Sequence, residues 1–73
     1  MKVHAKSTDT LTGIVEEFIT NNKNYVNPVR NAVSYLVDYK DVEWESPEKS
    51  GDSIVYRGSI RETSKKIEVV YTK

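Results

Sequence analysis

In this 73-residue chain, the spacing that comes closest to that of a catalytic pair of carboxylates belongs to two glutamates. Glu43 and Glu45 flank Trp44, and in a strand such alternate side chains project from one face about 6.5–7 Å apart. Two carboxylates at that separation can act as a general acid and its partner. If Val42 and Trp44 face a core instead, both glutamates lie on the opposite, solvated face. We expect the solvated arrangement, and therefore no acid–base site.

The remaining residue types offer little further chemistry. His4 is the only histidine, and we expect it to be an exposed strand residue without a second histidine to complete a metal site. The chain has no cysteine, which excludes a disulfide scaffold, a thiolate metal site and a cysteine nucleophile. Three scattered glycines make no phosphate-binding loop, and the serines have no nearby base. We therefore predict a protein that is not an enzyme and that uses no cofactor or metal.

Charge and hydropathy narrow the class of partner and the location. Eleven basic residues balance eleven acidic ones, whereas a protein that binds mainly through contacts to phosphate groups is usually basic. No apolar run approaches the ~20 residues of a membrane span, and residues 1–6 lack the apolar stretch of a signal peptide. We expect a cytoplasmic protein that binds another protein more readily than nucleic acid and does not enter a membrane.

The apolar residues before Lys40 recur at helical spacing and predict two helices. The first begins at the capping residues Ser7, Thr8 and Asp9 and runs to about Thr20, because five apolar residues fall on one of its faces. These residues are Leu11, Ile14, Val15, Phe18 and Ile19. Asparagines at positions 21, 22 and 24 are expected to end this helix, because asparagine tolerates the left-handed C-cap conformation.

The second predicted helix begins at Asn27-Pro28 and runs to about Tyr39. Asparagine supplies a cap oxygen, and proline at the first helical position loses no hydrogen bond. The apolar side of this helix is wide once Tyr35 and Tyr39 are included. Either the helix packs on both the sheet and the first helix, or Tyr35 and Tyr39 belong to a contact surface.

Alternating apolar residues predict the strands. Residues 2–6 read as a short edge strand with Val3 and Ala5 inward, and strands at about 41–46, 53–61 and 66–72 form an antiparallel meander. Loops at 46–52 and 62–65 separate them. The predicted fold is a single small α+β domain over residues 1–73. Its two helices pack on one face of a three- to four-stranded antiparallel sheet, in the order β-α-α-β-β-β.

The meander also predicts which side chains face the core. Trp44 falls in register with Val42 and is expected to anchor the core. Gly58 is expected either to mark a bulge or to make room for an aromatic ring such as Trp44. On the outward face, Arg57 and Arg61 are placed to pair with glutamates of neighbouring strands. The candidate glutamates are Glu43, Glu45 and Glu68.

The predicted strand–helix–helix order of residues 2–40 resembles that of ribbon–helix–helix DNA-binding domains. The resemblance covers about half of the chain and rests on element order. It implies a dimer whose N-terminal strands pair and enter the major groove. By position, Lys2, His4 and Lys6 would then face the bases and Asn27 would hold a phosphate.

The lack of a catalytic or metal-binding motif and the high aromatic content together favour a function other than DNA binding. Five tyrosines, one tryptophan and one phenylalanine exceed what so small a core can hide, and tyrosine and tryptophan are favoured interface anchors. We predict a small non-enzymatic protein that docks on another macromolecule. It would be an accessory, inhibitor or regulatory factor of the kind that phages and mobile elements encode in short reading frames. The predicted contact residues, on either the second helix or the exposed sheet face, are Tyr35, Tyr39, Glu43, Glu45, Arg57 and Arg61.

Overall fold

The computed structural model describes residues 2–21 and 27–73, which form an antiparallel sheet with one short helix on one face. The elements are β1 (Lys2–Asp9), β2 (Val15–Thr20), α1 (Pro28–Ser34), a 3-10 helix (Tyr39–Asp41), β3 (Val42–Trp44), β4 (Glu48–Ser50), β5 (Ser53–Ile60) and β6 (Lys65–Thr72). The strand order is β2-β1-β6-β5-β3, and β4 also pairs with β5. The long strands β1, β6 and β5 occupy the centre, and β2 forms one edge.

The predicted first helix is wrong, because residues 2–20 form a β-hairpin. Asp9 turns the chain: its carboxylate Oδ1 accepts hydrogen bonds from the N–H groups of Leu11 (2.9 Å) and Thr12 (3.3 Å). Gly13 then adopts a φ of +76°, a conformation that glycine reaches without strain. The flanking segments are rich in β-branched residues, which favour strands over helices. The helical spacing of the apolar residues is therefore a coincidence of composition.

The second predicted helix begins where expected and ends early. The Asn27 side chain accepts a hydrogen bond from the Arg30 N–H at 3.0 Å, and Pro28 occupies the first turn, which confirms the predicted cap. The helix ends at Ser34 rather than at Tyr39. Asp38 then starts the 3-10 helix, because its carboxylate accepts a hydrogen bond from the Lys40 N–H at 3.1 Å. The helix end predicted at residues 21–24 falls largely on residues 22–24, which lie outside the described part of the chain.

The core forms between α1 and the inward face of the sheet. Val3 and Ala5 are fully buried, as predicted, but β1 is a central strand paired with both β2 and β6 and not an edge. The buried apolar residues are Val3, Ala5, Ala32, Val33, Val42, Ile60, Ile67 and Val69. The predicted fold class is thus wrong: one seven-residue helix, not two helices, covers a six-stranded sheet. The sheet is larger because residues 15–20 and 48–50 are strands.

The predicted C-terminal meander is confirmed. β3 pairs antiparallel with β5, and β5 pairs antiparallel with β6. Gly58 lies opposite Trp44, and a Cβ atom at position 58 would come within 2.8 Å of the Glu43 carbonyl oxygen and 3.2 Å of the Trp44 ring. The prediction that Gly58 makes room for Trp44 is therefore confirmed. Trp44 itself is half-buried between Tyr39 and Tyr56, whose rings lie 5.9 and 6.4 Å from it.

Candidate interaction surfaces

The face of the sheet opposite α1, here called the open face, is the largest candidate surface. Strand register assigns its members, because directly paired residues project from the same side of a sheet. Within residues 2–21 and 27–73, no helix packs against it. Its side chains are Lys2, His4, Lys6, Thr8, Val15, Glu17, Ile19, Glu43, Glu48, Ser53, Val55, Arg57, Ser59, Lys66, Glu68, Val70 and Thr72.

Arg57 is the centre of an ion-pair network on the open face. Its guanidinium lies 2.9 Å from the Glu48 carboxylate and 3.1 Å from the Glu68 carboxylate. The hydrogen bonds to Glu48 and then to Glu68 raise the pKa of Arg57 above its already high ordinary value. Arg61 lies 3.3 Å from Glu43 at the adjacent edge. Of the three candidate glutamates, Glu68 pairs with Arg57 and Glu43 with Arg61, as predicted, but Glu45 pairs with neither arginine, and Glu48 is a partner that the sequence did not indicate.

The glutamates and lysines of the open face differ in their pairing. Glu43, Glu48 and Glu68 each pair with an arginine and Glu17 contacts the His4 imidazole at 2.9 Å, whereas Glu45, at the end of β3, has no basic group within 4.0 Å among the described residues. By contrast, the exposed lysines Lys2, Lys6 and Lys66 have no carboxylate within 4.0 Å among the residues that the structure describes. The ammonium groups of these three lysines are therefore cations of the open face that are free to contact a partner, while the face as a whole carries both signs of charge.

A depression of about 330 Å³ lies among these lysines. Lys6 and Lys66 line it from the neighbouring strands β1 and β6, together with Thr8 and Thr10. Arg57 and Glu68 line the side toward β5, and the predicted contact residue Glu45 lines the depression from the end of β3. Sequence reasoning missed Lys66 and Thr8, because only the pairing of β1 with β6 brings these two residues side by side.

An aliphatic row borders the depression. His4 pairs with Ile19 on one side and with Val70 on the other, and Val70 pairs with Val55. Ile19 is 56% exposed, and the two valines are half-buried. The open face therefore combines aliphatic area with lysines that have no ion-pair partner among the described residues.

The predicted contact residues divide between the two faces. Glu43 and Arg57 project from the open face, and Arg61 follows β5 at the same edge. Tyr35 is 61% exposed on the helix side, where its ring stacks on Phe18 at 4.2 Å. Tyr39 is half-buried, and Arg30 lies over its ring at 5.2 Å. The six predicted residues thus do not form one site.

The helix side carries a smaller aromatic pocket of about 320 Å³. Tyr39, Trp44 and Tyr56 line it together with Glu45, and Asn27, Val29 and Pro47 complete its wall. The Trp44 indole N–H is buried and has no hydrogen-bond partner among the described residues. Tyr56 was not among the predicted contact residues, although it shares the inward alternation of Trp44 along the meander.

The residues assigned by the ribbon–helix–helix resemblance do not all have the surroundings that this resemblance implies. Lys2, His4 and Lys6 project from the open face, as expected for outward positions. However, β1 is paired along both sides and offers no free edge to a second chain. Asn27 already uses its side chain to cap α1. The strand–helix–helix order is itself absent, because β2 replaces the first helix.

The described residues contain no cluster of three or more histidine, aspartate and glutamate side chains able to hold a metal ion. Glu43 and Glu45 are both exposed, as predicted. Glu43 contacts Arg61, while the Glu45 N–H donates to the Arg57 carbonyl oxygen at 2.8 Å. Within the same residues, no helix has the length and apolar character needed to cross a membrane.

Comparison with models of known protein families, with curated proteins and with solved structures finds no match for the chain. The arrangement of residues on the two faces is therefore the basis for a functional assignment.

Proposed function

We propose that this protein is a non-enzymatic binding protein of the cytoplasm that docks through its open face on an acidic surface of another protein. Its role would be that of an accessory, inhibitory or regulatory factor. The observation that carries the proposal is the set of lysines on that face: within residues 2–21 and 27–73, Lys2, Lys6 and Lys66 have no carboxylate within 4.0 Å, while both arginines of that side are held in ion pairs. The absence of cysteine suits a reducing compartment.

A protein surface fits this face better than a nucleic acid does. The glutamates Glu43, Glu48 and Glu68 stand among the cations, and a phosphate backbone lying across the sheet would pass close to them. The row formed by Ile19, Val70 and Val55 supplies apolar area, which phosphates do not use. Single acidic side chains of a partner can contact Lys6 and Lys66 without running past Glu45 and Glu68, as a continuous phosphate backbone must, while aliphatic groups cover the row.

The test compares two double charge reversals of equal size. Lys6→Glu with Lys66→Glu changes the open face, and Lys40→Glu with Lys49→Glu makes the same change in net charge at exposed positions elsewhere. Each protein is immobilised and exposed to nuclease-treated lysate of the source organism, and the retained proteins are identified by mass spectrometry. We expect a protein retained by the wild type and by the second variant to be lost from the first.

Direct binding measurements then distinguish a protein partner from a nucleic-acid partner. The retained protein is purified, and its Kd for each variant is measured at two salt concentrations. Binding that is equal for both double variants would contradict the proposal. So would retention of duplex DNA at physiological salt with a slope of about one unit of log–log affinity for each phosphate neutralised, since that result would identify a nucleic-acid-binding face.

A further inference from the structure

β2 lies at an edge of the sheet, and its region of the chain exposes large apolar side chains that the strands of the opposite edge do not expose. Among the residues that the structure describes, four of the five large apolar side chains that are strongly exposed belong to residues 11–19, namely Leu11, Ile14, Val15 and Ile19. β2 contains no proline or lysine, which commonly protect an edge strand from pairing, and its only charged residues are Glu16 and Glu17. Its six residues are also long enough to accept another strand.

The register identifies which backbone groups of β2 point outward. The Asp9 N–H donates to the Ile14 carbonyl oxygen at 2.9 Å, and hydrogen-bonded pairs alternate along an antiparallel ladder. Ser7↔Glu16 and Ala5↔Phe18 are then hydrogen-bonded pairs of the hairpin. It follows that Val15, Glu17 and Ile19 direct their N–H and C=O groups away from β1, toward the free edge.

We infer that β2 pairs antiparallel with β2 of a second copy of this chain, with Phe18 opposite Phe18. An antiparallel pair related by a twofold axis keeps the two open faces on the same side, so opposed residues must share a face. Two central registers satisfy this condition. One places Glu17 opposite Glu17, which apposes like charges and is unfavourable. The other places Glu17 opposite Ile19 and Glu16 opposite Thr20, and it apposes no like charges.

The aromatic side chains favour the same register. Phe18 is half-buried on the inward face and stacks on Tyr35 at 4.2 Å, so that one ring pair borders the free edge. With Phe18 opposite Phe18, the two ring pairs meet across the axis and extend the core of each copy. On the other face, Ile19 is placed beside the aliphatic part of the facing Glu17. A second copy therefore covers the exposed apolar groups of β2 on both faces.

Pairing in this way also gives the pair of molecules one continuous open face. Because the twofold axis is perpendicular to the sheet, Lys2, Lys6 and Lys66 of both copies lie on the same side. The inferred dimer does not depend on the proposed docking function, because the lysines lie on β1 and β6 and the contact between copies lies on β2. An experiment can therefore contradict either proposal without contradicting the other.

Two proline variants test the contact. Glu17→Pro removes an N–H that points outward, so the fold should persist while dimer formation is lost. Glu16→Pro, one residue away, removes an N–H that points to Ser7 and should destabilise the fold. Molar mass is measured by light scattering over a wide concentration range, with circular dichroism as the check on folding. Ile19→Lys places a charge at the contact while leaving the backbone intact, and it should also give a monomer.

Cysteine cross-linking tests the register, because the native chain has no cysteine. In the inferred register, residues 17 and 19 of the two copies are directly opposed at about 5.5 Å between Cα atoms, within disulfide range. Oxidation of an equimolar mixture of Glu17→Cys and Ile19→Cys should give the mixed dimer. Glu17→Cys alone should cross-link poorly, since its Cα atoms are then about 7–8 Å apart. A wild-type monomer at all concentrations, a dimer that survives both Glu17→Pro and Ile19→Lys, or efficient cross-linking of Glu17→Cys alone would overturn the inference.

Discussion

The two edges of the sheet are built differently. At one edge, two three-residue strands, β3 and β4, lie end to end along β5 with Pro47 between them, and Trp44 anchors β3 between two tyrosines. At the other edge, β2 runs for six residues with Val15 and Ile19 exposed. The first edge is broken into pieces too short to template another strand, while the second is not. The comparison indicates that one edge serves the stability of the monomer and the other is available for contact.

The largest expected difference between the edges is in the free energy of unfolding. Trp44 and Phe18 occupy corresponding inward positions at the two edges. Trp44→Ala should destabilise by about 3 kcal/mol, because it removes the ring that packs against both Tyr39 and Tyr56. Phe18→Ala should cost roughly 1 kcal/mol in the monomer, since Phe18 is half-buried and has one aromatic neighbour.

Chemical denaturation at low protein concentration measures both values. The wild-type emission of Trp44, the only tryptophan, should be blue-shifted in the folded state. Equal costs for the two substitutions, or a solvent-like emission maximum in the folded protein, would contradict the assignment of Trp44 as the anchor of its edge.

The second prediction concerns the space that β3 requires. Gly58→Ala should destabilise by about 1–3 kcal/mol, because the added Cβ would lie 2.8 Å from both the Glu43 carbonyl oxygen and the Val42 side chain. Ser59→Ala, at the exposed neighbouring position, is the control and should change stability by less than about 0.5 kcal/mol. Thermal unfolding of the two variants measures the difference. A neutral Gly58→Ala would mean that β3 is easily displaced, and it would contradict the assignment of this edge to the stability of the monomer.

The same two edges differ in how far the sequence predicts them. The inward positions of β5 and β6 recur at every second residue, as Ile54, Tyr56 and Ile60 illustrate, and turn residues bound each segment. Their pairing is local, so the meander, the inward position of Trp44 and the Arg57–Glu68 pair could all be predicted. The strand β4 was missed because its sequence, Glu48-Lys49-Ser50, carries no apolar signal.

At the β2 edge the apolar spacing fits a helix as well as a strand. Leu11, Ile14 and Phe18 share a helical face, but Leu11 is 85% exposed in the turn of the hairpin. The better signals were local: Gly13 in the middle of the predicted helix and the β-branched residues around it. The depression between Lys6 and Lys66 was beyond prediction, because it depends on pairing between the first and last strands of the chain.

The third prediction tests the turn that creates the β2 edge. Gly13→Ala should destabilise by about 1 kcal/mol, because Gly13 has a φ of +76° that an alanine adopts only with strain. Open space around Gly13 rules out a steric contribution. Leu11→Ala in the same turn is the control and should be nearly neutral, since Leu11 is already exposed. A cost for Leu11→Ala above that for Gly13→Ala would contradict this account of the turn.

The smallest expected effect is a pH dependence at the junction of the two hairpin turns. Asp9 Oδ1 accepts a hydrogen bond from the Ser64 hydroxyl at 2.7 Å as well as from the Leu11 N–H at 2.9 Å. The Thr10 N–H and hydroxyl both donate to the Ser64 carbonyl oxygen, at 3.0 and 2.7 Å. The Ser64 hydrogen bond, followed by that from Leu11, lowers the pKa of Asp9.

Because the pKa of Asp9 is lower in the folded chain, its ionisation stabilises the fold above the unfolded value of about 3.9 and ceases to do so as the pH falls through the lower folded value. Wild type should therefore lose more stability between about pH 5 and pH 2 than Asp9→Asn does. Asp52→Asn, an exposed carboxylate in the turn beside the other edge, is the control and should follow wild type. Thermal unfolding midpoints across this range measure the three proteins. If Asp9→Asn parallels wild type down to pH 2, the link between Asp9 and Ser64 does not help to fasten the β1–β2 hairpin to the rest of the sheet, and β2 depends on its pairing with β1 and on Phe18 alone.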